Sequence, residues 1–442
     1  MDKSFFIETY GCQMNVSDSE LISGLLSTDG YRETKDINNA GIILVNTCAI
    51  REHAEDKVNS RLGFYKQIKE KNPTTIIGVL GCMAQNLKEN ILESKPYVDI
   101  VLGPDSYRNL LDMIKARNNK ASQIIDTNLS RYEVYENISP VRDGGVNAWI
   151  SIMRGCDKFC TFCVVPFTRG RERSRSIESI VEEAEKAVKD GFSEITLLGQ
   201  NVNSYNHDQR RFVELLAEVA QIPYLKRIRY TSPHPQDMTQ EVLDVMLKYD
   251  NICNYIHLPL QAGNNNVLNR MNRTYKKEDF LTLVGQIRRT LPNVGLSTDI
   301  IVGFPGENEK EFQETLDVME LVKFDSAYTF KYSARPGTKA SEFDDHVKED
   351  EKQSRLERVI ATQRKHTMFH NKNYVGKIEM VLVEKESKRS TQEWAGRTDS
   401  NKWVIFDKSN VNIGDIIPVR IDEIKGITLH GEIINIQEME AA

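Results

Sequence analysis

Eight residues, Cys156-Asp157-Lys158-Phe159-Cys160-Thr161-Phe162-Cys163, carry the most specific chemical signal in this 442-residue chain. Three thiolates that close can fold around one metal centre. Structural zinc normally takes four ligands. The stretch has no fourth local cysteine, and no histidine occurs between His53 and His207. A [4Fe–4S] cluster takes one cysteine per iron, so three cysteines leave one iron open to a substrate or cofactor. Three further cysteines, Cys12, Cys48 and Cys82, are far apart in sequence but stand in similar settings. Each follows an apolar run and precedes a helical one. The seventh, Cys253, precedes an apolar strand and reads as a small buried hydrophobe.

The elements that must position these thiols repeat. Candidate strands 5–9, 41–45 and 75–80 lead into Gly11-Cys12, Asn46-Thr47-Cys48 and Gly81-Cys82, and helical stretches 18–26, 54–69 and 87–94 follow. Parallel α/β sheets bind ligands at the carboxyl ends of their strands, so three such ends can bring three cysteines together. Six more candidate strands, 148–153, 194–198, 227–231, 255–260, 295–302 and 327–332, alternate with helices such as 177–190 and 278–290. Alternation on that scale predicts a parallel sheet, open or curled into a partial barrel. Residues 346–370 read as a charged connecting helix. From Tyr374 onward short alternating runs (378–383, 402–405, 416–421, 429–434) predict a small antiparallel β-barrel, with Trp394 and Trp403 in its core. The expected architecture is therefore a doubly wound N-terminal α/β domain at 1–120, a linker at 121–145, a partial (β/α)6 barrel at 146–372 and a β-barrel at 373–439.

A 40% hydrophobic and 28% charged composition suits a folded, multi-domain protein rather than a disordered or fibrous one. No apolar run reaches the roughly 18 residues of a membrane span. The opening residues have no basic region followed by a long apolar one, so no secretory leader is expected and the chain is expected to stay cytoplasmic. In a reducing compartment cysteines are more often ligands or catalysts than disulfide partners. A net charge of −6 gives no global signal for nucleic acid, which leaves a local basic patch as the route to RNA.

The C-x3-C-x2-C spacing resembles the signature of the radical S-adenosylmethionine superfamily, and the βα units that begin with it resemble that superfamily's partial barrel. The resemblance implies a [4Fe–4S] cluster on Cys156, Cys160 and Cys163 whose open iron chelates S-adenosyl-L-methionine, with Phe162 packed near the adenine. One electron then breaks a carbon–sulfur bond and yields a 5′-deoxyadenosyl radical. The strings Thr9-Tyr10-Gly11-Cys12-Gln13-Met14-Asn15, Asn46-Thr47-Cys48-Ala49-Ile50-Arg51 and Gly81-Cys82-Met83-Ala84 are similar to the methylthiotransferase branch. There such cysteines hold an auxiliary [4Fe–4S] cluster, and the terminal barrel is an RNA-binding TRAM domain. The Tyr-Gly-Cys-Gln-Met-Asn string, Cys-Thr-Phe-Cys-Val-Val-Pro from Cys160 and the arginine-rich run from Arg169 to Arg175 resemble the members acting on N6-isopentenyladenosine in tRNA.

That resemblance implies a transferase replacing the C2 hydrogen of the adenine at position 37, in the anticodon loop, with a methylthio group. Such a hydrogen is not acidic, so an ordinary general base is a poor fit. Two S-adenosylmethionine molecules, an electron donor such as a flavodoxin or ferredoxin and a sulfur donor are implied. Gln200, Asn201, Ser232, Gln261 and Asp299 lie at or near expected strand ends, where a barrel faces its ligand, and they resemble the family's S-adenosylmethionine contacts. Arg169, Arg171, Arg173 and Arg175 are expected to meet tRNA phosphates. Two alternatives stay open: a methylthiotransferase for threonylcarbamoyladenosine or for a ribosomal protein, and a non-catalytic iron–sulfur sensor that binds RNA.

Overall fold

The computed structural model describes residues 3–48, 52–119 and 122–434. Ala49, Ile50 and Arg51 of the second cysteine string lie outside the described residues, as do 435–439 of the expected terminal barrel.

Six parallel strands form the first sheet: β1 (Ser4–Tyr10), β2 (Arg32–Glu33), β3 (Ile42–Thr47), β4 (Ile76–Gly81), β5 (Ile100–Leu102) and β6 (Ile124–Asp126), in the order β2-β1-β3-β4-β5-β6. The helices are α1 (Gln13–Thr28), α2 (Glu52–Lys71), α3 (Cys82–Leu87), α4 (Glu89–Ser94) and α5 (Leu110–Asn118). Every residue of β3 and β4 is buried. Ile42 and Leu44 face one core with Ile22 and Leu26 of α1, while Ile43 and Val45 face the other with Val58 and Leu62 of α2. Burial on both faces explains why these strands read as unbroken apolar runs rather than alternating ones. The strand order reverses between β1 and β3, the place where open α/β sheets bind ligands. Residues 124–126, expected within a linker, instead give the sheet its edge strand. Three residues are too few to register as a pattern.

The central part begins with β7 (Asn147–Ser151), the short pair β8 (Met153–Arg154) and β9 (Arg173–Ser174), and α6 (Val165–Arg169) between the two. It continues with α7 (Ile177–Lys189), β10 (Glu194–Leu198), the ribbon β11 (Asn206–His207) and β12 (Arg210–Arg211), α8 (Phe212–Ala220), β13 (Arg227–Tyr230) and α9 (Gln240–Lys248). Then come β14 (Tyr255–His257), α10 (Asn265–Arg270), α11 (Lys277–Thr290), β15 (Gly295–Val302), α12 (Glu309–Val322), β16 (Ser326–Lys331) and α13 (Glu349–Lys372). The parallel trios β7-β10-β13 and β14-β15-β16 meet through a single bridge between Ile228 and Ile252. The result is a six-stranded partial barrel. The fourth strand stops earlier than expected, at His257, because Pro259 has no N–H to give to β15.

The terminal domain is a closed barrel of β17 (Ile378–Glu386), β18 (Glu393–Arg397), β19 (Trp403–Asp407), β20 (Ile416–Lys425) and β21 (Thr428–Ile433). Its pairings are antiparallel except β19 with β21, which run parallel. Trp403, expected in the core, is instead exposed, with Lys385 stacked over it at 4.5 Å.

The turn 398–402 seals the amino-terminal end of the partial barrel. Arg229 donates to the carbonyls of Thr398 (2.9 Å) and Asp399 (3.1 Å). Glu194, fully buried, receives Arg229 at 2.8 Å and Arg397 at 2.9 Å. The open end is thus the carboxyl end. Among the described residues no helix is long and apolar enough to cross a membrane.

Candidate functional site

The register of the first sheet explains how the N-terminal cysteines meet. Tyr10 pairs with Thr47, and Thr47 with Gly81, so β1, β3 and β4 end level and deliver Cys12, Cys48 and Cys82 to one edge. The Cys48 amide donates to the Tyr10 carbonyl at 3.0 Å. Two glycines make the approach possible. A Cβ on Gly11, at φ +139°, would stand 2.7 Å from the Cβ of Cys48. One on Gly81, at φ +87°, would stand 2.8 Å from the Thr47 carbonyl. Only glycine adopts such angles without strain. Asn15 and Asn46, both fully buried, knit the loops: Asn46 Nδ2 donates to the Asn15 carbonyl at 2.9 Å and to Ser19 Oγ at 3.0 Å.

The second triad sits at the carboxyl end of the partial barrel. Its loop is pinned by Thr161, whose N donates to the Met271 carbonyl (3.0 Å) and whose Oγ1 donates to that of Arg270 (2.8 Å). Arg273 Nη1 reaches Cys160 Sγ at 3.4 Å. Phe162 packs edge-on against Phe304 at 6.4 Å.

The two triads adjoin. Val164, next to Cys163, packs on Cys82, and Arg169 at the end of α6 donates from Nε to Cys82 Sγ at 3.2 Å. The Cys12 thiol is held down at about 6 by a hydrogen bond from Cys48 and, against burial, by the Arg169 charge. Burial pushes Cys82 up. It pushes Cys156 to about 11 and Cys163 to about 12. Buried thiols of this kind bind as thiolates only when a metal's positive charge replaces their protons. Among the described residues no three His, Cys, Asp or Glu side chains close on a single-ion geometry; a cubane distributes its thiolates over separate irons.

The remaining expected contacts fall around the same end. Both amide atoms of Gln200 and the Oδ1 of Asn201 are buried without a hydrogen-bond partner among the described residues. Asn201 Nδ2 donates to Asp237 at 2.8 Å. Ser232 and Gln261 hold left-handed φ of +59° and +71°. Asp299 is not at a strand end: it lies mid-strand in β15, paired with His257 Nε2 at 3.4 Å. His234 is kept neutral, its pKa lowered to about 2 by burial and by Arg273.

The arginine run is a correction. Arg169, Arg173 and Arg175 do not face outward to phosphates. All three are buried, Arg169 against Asp18 (2.8 Å), Arg173 against Asp105 and Arg175 against Glu183 (2.6 Å). Asp18 also pairs with Arg154, and Tyr107 donates to it at 3.3 Å. The pairs to Asp18 and Asp105 join the N-terminal domain to the barrel, while Arg175–Glu183 lies within the barrel; a buried guanidinium needs a carboxylate beside it. Arg171 alone is exposed, bound to Asp157 at 2.6 Å and lying over the Phe159 ring at 5.3 Å. Asp18, Arg154 and Arg273 were not singled out from sequence, and no local pattern marks them.

Fold and triads together define an iron–sulfur class of enzyme architecture, and comparison agrees. The chain matches the Radical SAM superfamily over residues 150–319, the Uncharacterized protein family UPF0004 over 4–103 and the TRAM domain over 372–434. Among solved structures it is similar to the radical S-adenosylmethionine methyltransferase TsrM from Kitasatospora setae. The TM-score is 0.58 at 14% identity, over 77% of each chain, a likeness of fold alone. It is 44% identical to the tRNA-2-methylthio-N(6)-dimethylallyladenosine synthase of Christiangramia forsetii, over 99% of this chain and 95% of that one. To the synthase of Porphyromonas gingivalis it is 46% identical, over 98% and 95%. The chain belongs to the tRNA-2-methylthio-N(6)-dimethylallyladenosine synthase family.

Proposed function

We propose that this protein methylthiolates C2 of N6-dimethylallyladenosine at position 37 of tRNA, in the cytoplasm, with electrons from a flavodoxin or ferredoxin and sulfur from a separate donor. The observation that carries the reading is the adjoining of two three-cysteine sites, Cys82 of one touching Val164 and Arg169 just beyond Cys163 of the other.

Cys156, Cys160 and Cys163 hold one [4Fe–4S] cluster, and Cys12, Cys48 and Cys82 hold the auxiliary one. The donor chemistry fits: each set offers three sulfurs, and Gly11 and Gly81 leave no side chain in the way. When bound, these groups and S-adenosylmethionine supply the one-electron chemistry and the sulfur that an unactivated aromatic C–H requires. The chain's own residues bind and orient. Gln200, through both amide atoms, and Asn201, through Oδ1, offer unpaired buried polar atoms to S-adenosylmethionine. Ser232 and Gln261 turn the backbone at the same rim, Asp299 lines the wall below it, and Phe162 fixes the adenine. Arg171 remains for the tRNA backbone, its guanidinium exposed at the rim. The target base must leave its stack to reach the site, which an anticodon loop permits most readily.

The test is nucleoside mass spectrometry of isopentenylated tRNA after reaction with the anaerobically reconstituted protein, S-adenosylmethionine and dithionite. A methylthio mass increment is expected. Cleavage of S-adenosylmethionine with no increment on that tRNA would reject the substrate.

A further inference from the structure

Arg169 ends α6, in the domain that carries Cys156, Cys160 and Cys163, yet its guanidinium lies inside the other triad. Its three nitrogens have different surroundings. Nε donates to Cys82 Sγ at 3.2 Å, and Nη2 pairs with Asp18 at 2.8 Å. Nη1 is buried with no partner among the described residues, in a side chain only 4% exposed. A buried charged donor is costly to leave unmade, so this one points to an acceptor that completes the site. The charge balance agrees. Asp18 is shared by two cations, Arg154 and Arg169, both almost wholly buried. One positive charge therefore stays uncompensated beside three thiols that bring negative charge once deprotonated.

Resting on the reading that the N-terminal triad holds an iron–sulfur cluster, we propose that Arg169 is a positioning residue for that cluster: it donates from Nη1 and Nε to sulfur and offsets the charge of the three thiolates. Hydrogen bonds to sulfur and net charge set the potentials of such clusters, so Arg169 raises this one. It also ties the auxiliary group to the loop of the other, because it follows Cys163 by six residues.

The test uses the full chain, loaded anaerobically with iron and sulfide, carrying Cys156→Ala, Cys160→Ala and Cys163→Ala so that only the N-terminal triad can take a cluster. Arg169→Lys and Arg169→Gln are added to it. The readouts are iron per chain and the midpoint potential from a redox titration followed by electron paramagnetic resonance. The parent holds about four irons. Arg169→Gln titrates at a more negative potential, and Arg169→Lys, which keeps the charge, stays nearer the parent. Iron kept by the lysine variant and lost from the glutamine variant also supports the proposal. A glutamine variant titrating at the parent potential overturns it. So does loss of iron from both variants or from the lysine variant alone, which would make Arg169 a prop for the cysteine loops. A parent without iron overturns the cluster reading itself, and the proposal with it.

Discussion

Changing Asp18 to asparagine keeps the shape of the side chain and removes one charge from the most deeply buried ionic group between the first two domains. Asp18 is fully buried and faces Arg154, Arg169 and the Tyr107 hydroxyl. In Asp18→Asn the two guanidiniums keep their burial and lose their counter-ion. Removing one partner of a buried pair costs about 3–5 kcal/mol, a factor on the order of 10² to 10⁴ in the folding equilibrium. The hydrogen bonds Arg154 makes to the Pro104 carbonyl and Arg169 makes to Cys82 survive, so the lower part of that range is expected. The pH behaviour follows from the sign of the shift. Burial pushes the Asp18 carboxyl up, but Arg154 and Arg169 overcome it and hold the group below its ordinary value. Its contribution is therefore complete above about pH 3.9, the unfolded value, and disappears only as pH falls through the lower folded one. The loss in Asp18→Asn should thus be the same at pH 6 and pH 8. Urea unfolding followed by circular dichroism, under anaerobic conditions, measures it. A variant within about 1 kcal/mol of the parent, or a loss that changes across that pH range, would refute the reasoning.

Alanine at Cys12, Cys48 or Cys82 should abolish methylthiolation while leaving S-adenosylmethionine cleavage intact, and alanine at Cys156, Cys160 or Cys163 should abolish both; quantifying 5′-deoxyadenosine beside the nucleoside product separates the two. Gly81→Ala forces an ordinary side chain into φ +87° with its Cβ 2.8 Å from the Thr47 carbonyl, so it should lower iron per chain by about half with the second site still loaded; unchanged iron would show that the β4 end can relax. Glu20 lies 3.3 Å from Arg142 without hydrogen-bond alignment, and burial, with Glu183 nearby, raises its carboxyl to about 7. A raised carboxyl favours the folded state only where it is protonated, so stability at this site should increase as pH falls from 8 to 5, and Glu20→Gln should flatten that slope in thermal melts.

What the sequence displayed depended on whether the physical cause was local. β3 and β4 are buried on both faces and read as continuous apolar runs. The glycines before Cys12 and Cys82 stand beside the residues they serve, so the three-strand convergence was legible. The short strands β5, β6 and β18 were not: the first two have three residues each, and β18 contains Gly396, whose place in the barrel depends on the Leu382 carbonyl against it. The arginine run shows the limit most plainly. Four arginines at alternate positions look the same whether they face phosphate or carboxylate. The partners of Arg169 and Arg173, Asp18 and Asp105, lie 151 and 68 residues away, so only the tertiary structure could show that these two face carboxylates; the Glu183 partner of Arg175 is eight residues away. The fifth barrel strand was legible to the residue: the expected 295–302 matches β15, which already puts Asp299 in mid-strand, opposite Tyr328 of β16.

The distance between the two cysteine sites follows from the same elements. Helix α6 has five residues, Val165–Arg169, and at about 1.5 Å per residue it rises only about 7 Å. It starts two residues after Cys163 and ends with Arg169 against Cys82. Val164 closes the loop from the other side by packing on Cys82. The two sites therefore adjoin, Val164 just before α6 and Arg169 at its end both meeting Cys82. On the proposed reading, a base held beside both sites would reach each of them without being released. The turn 398–402 closes the opposite end of the barrel through Arg229, Glu194 and Arg397. A base entering along the barrel axis must come in at the rim where both triads lie, and the buried Asp18, Arg154 and Arg169 group is what keeps the two halves of that rim in register.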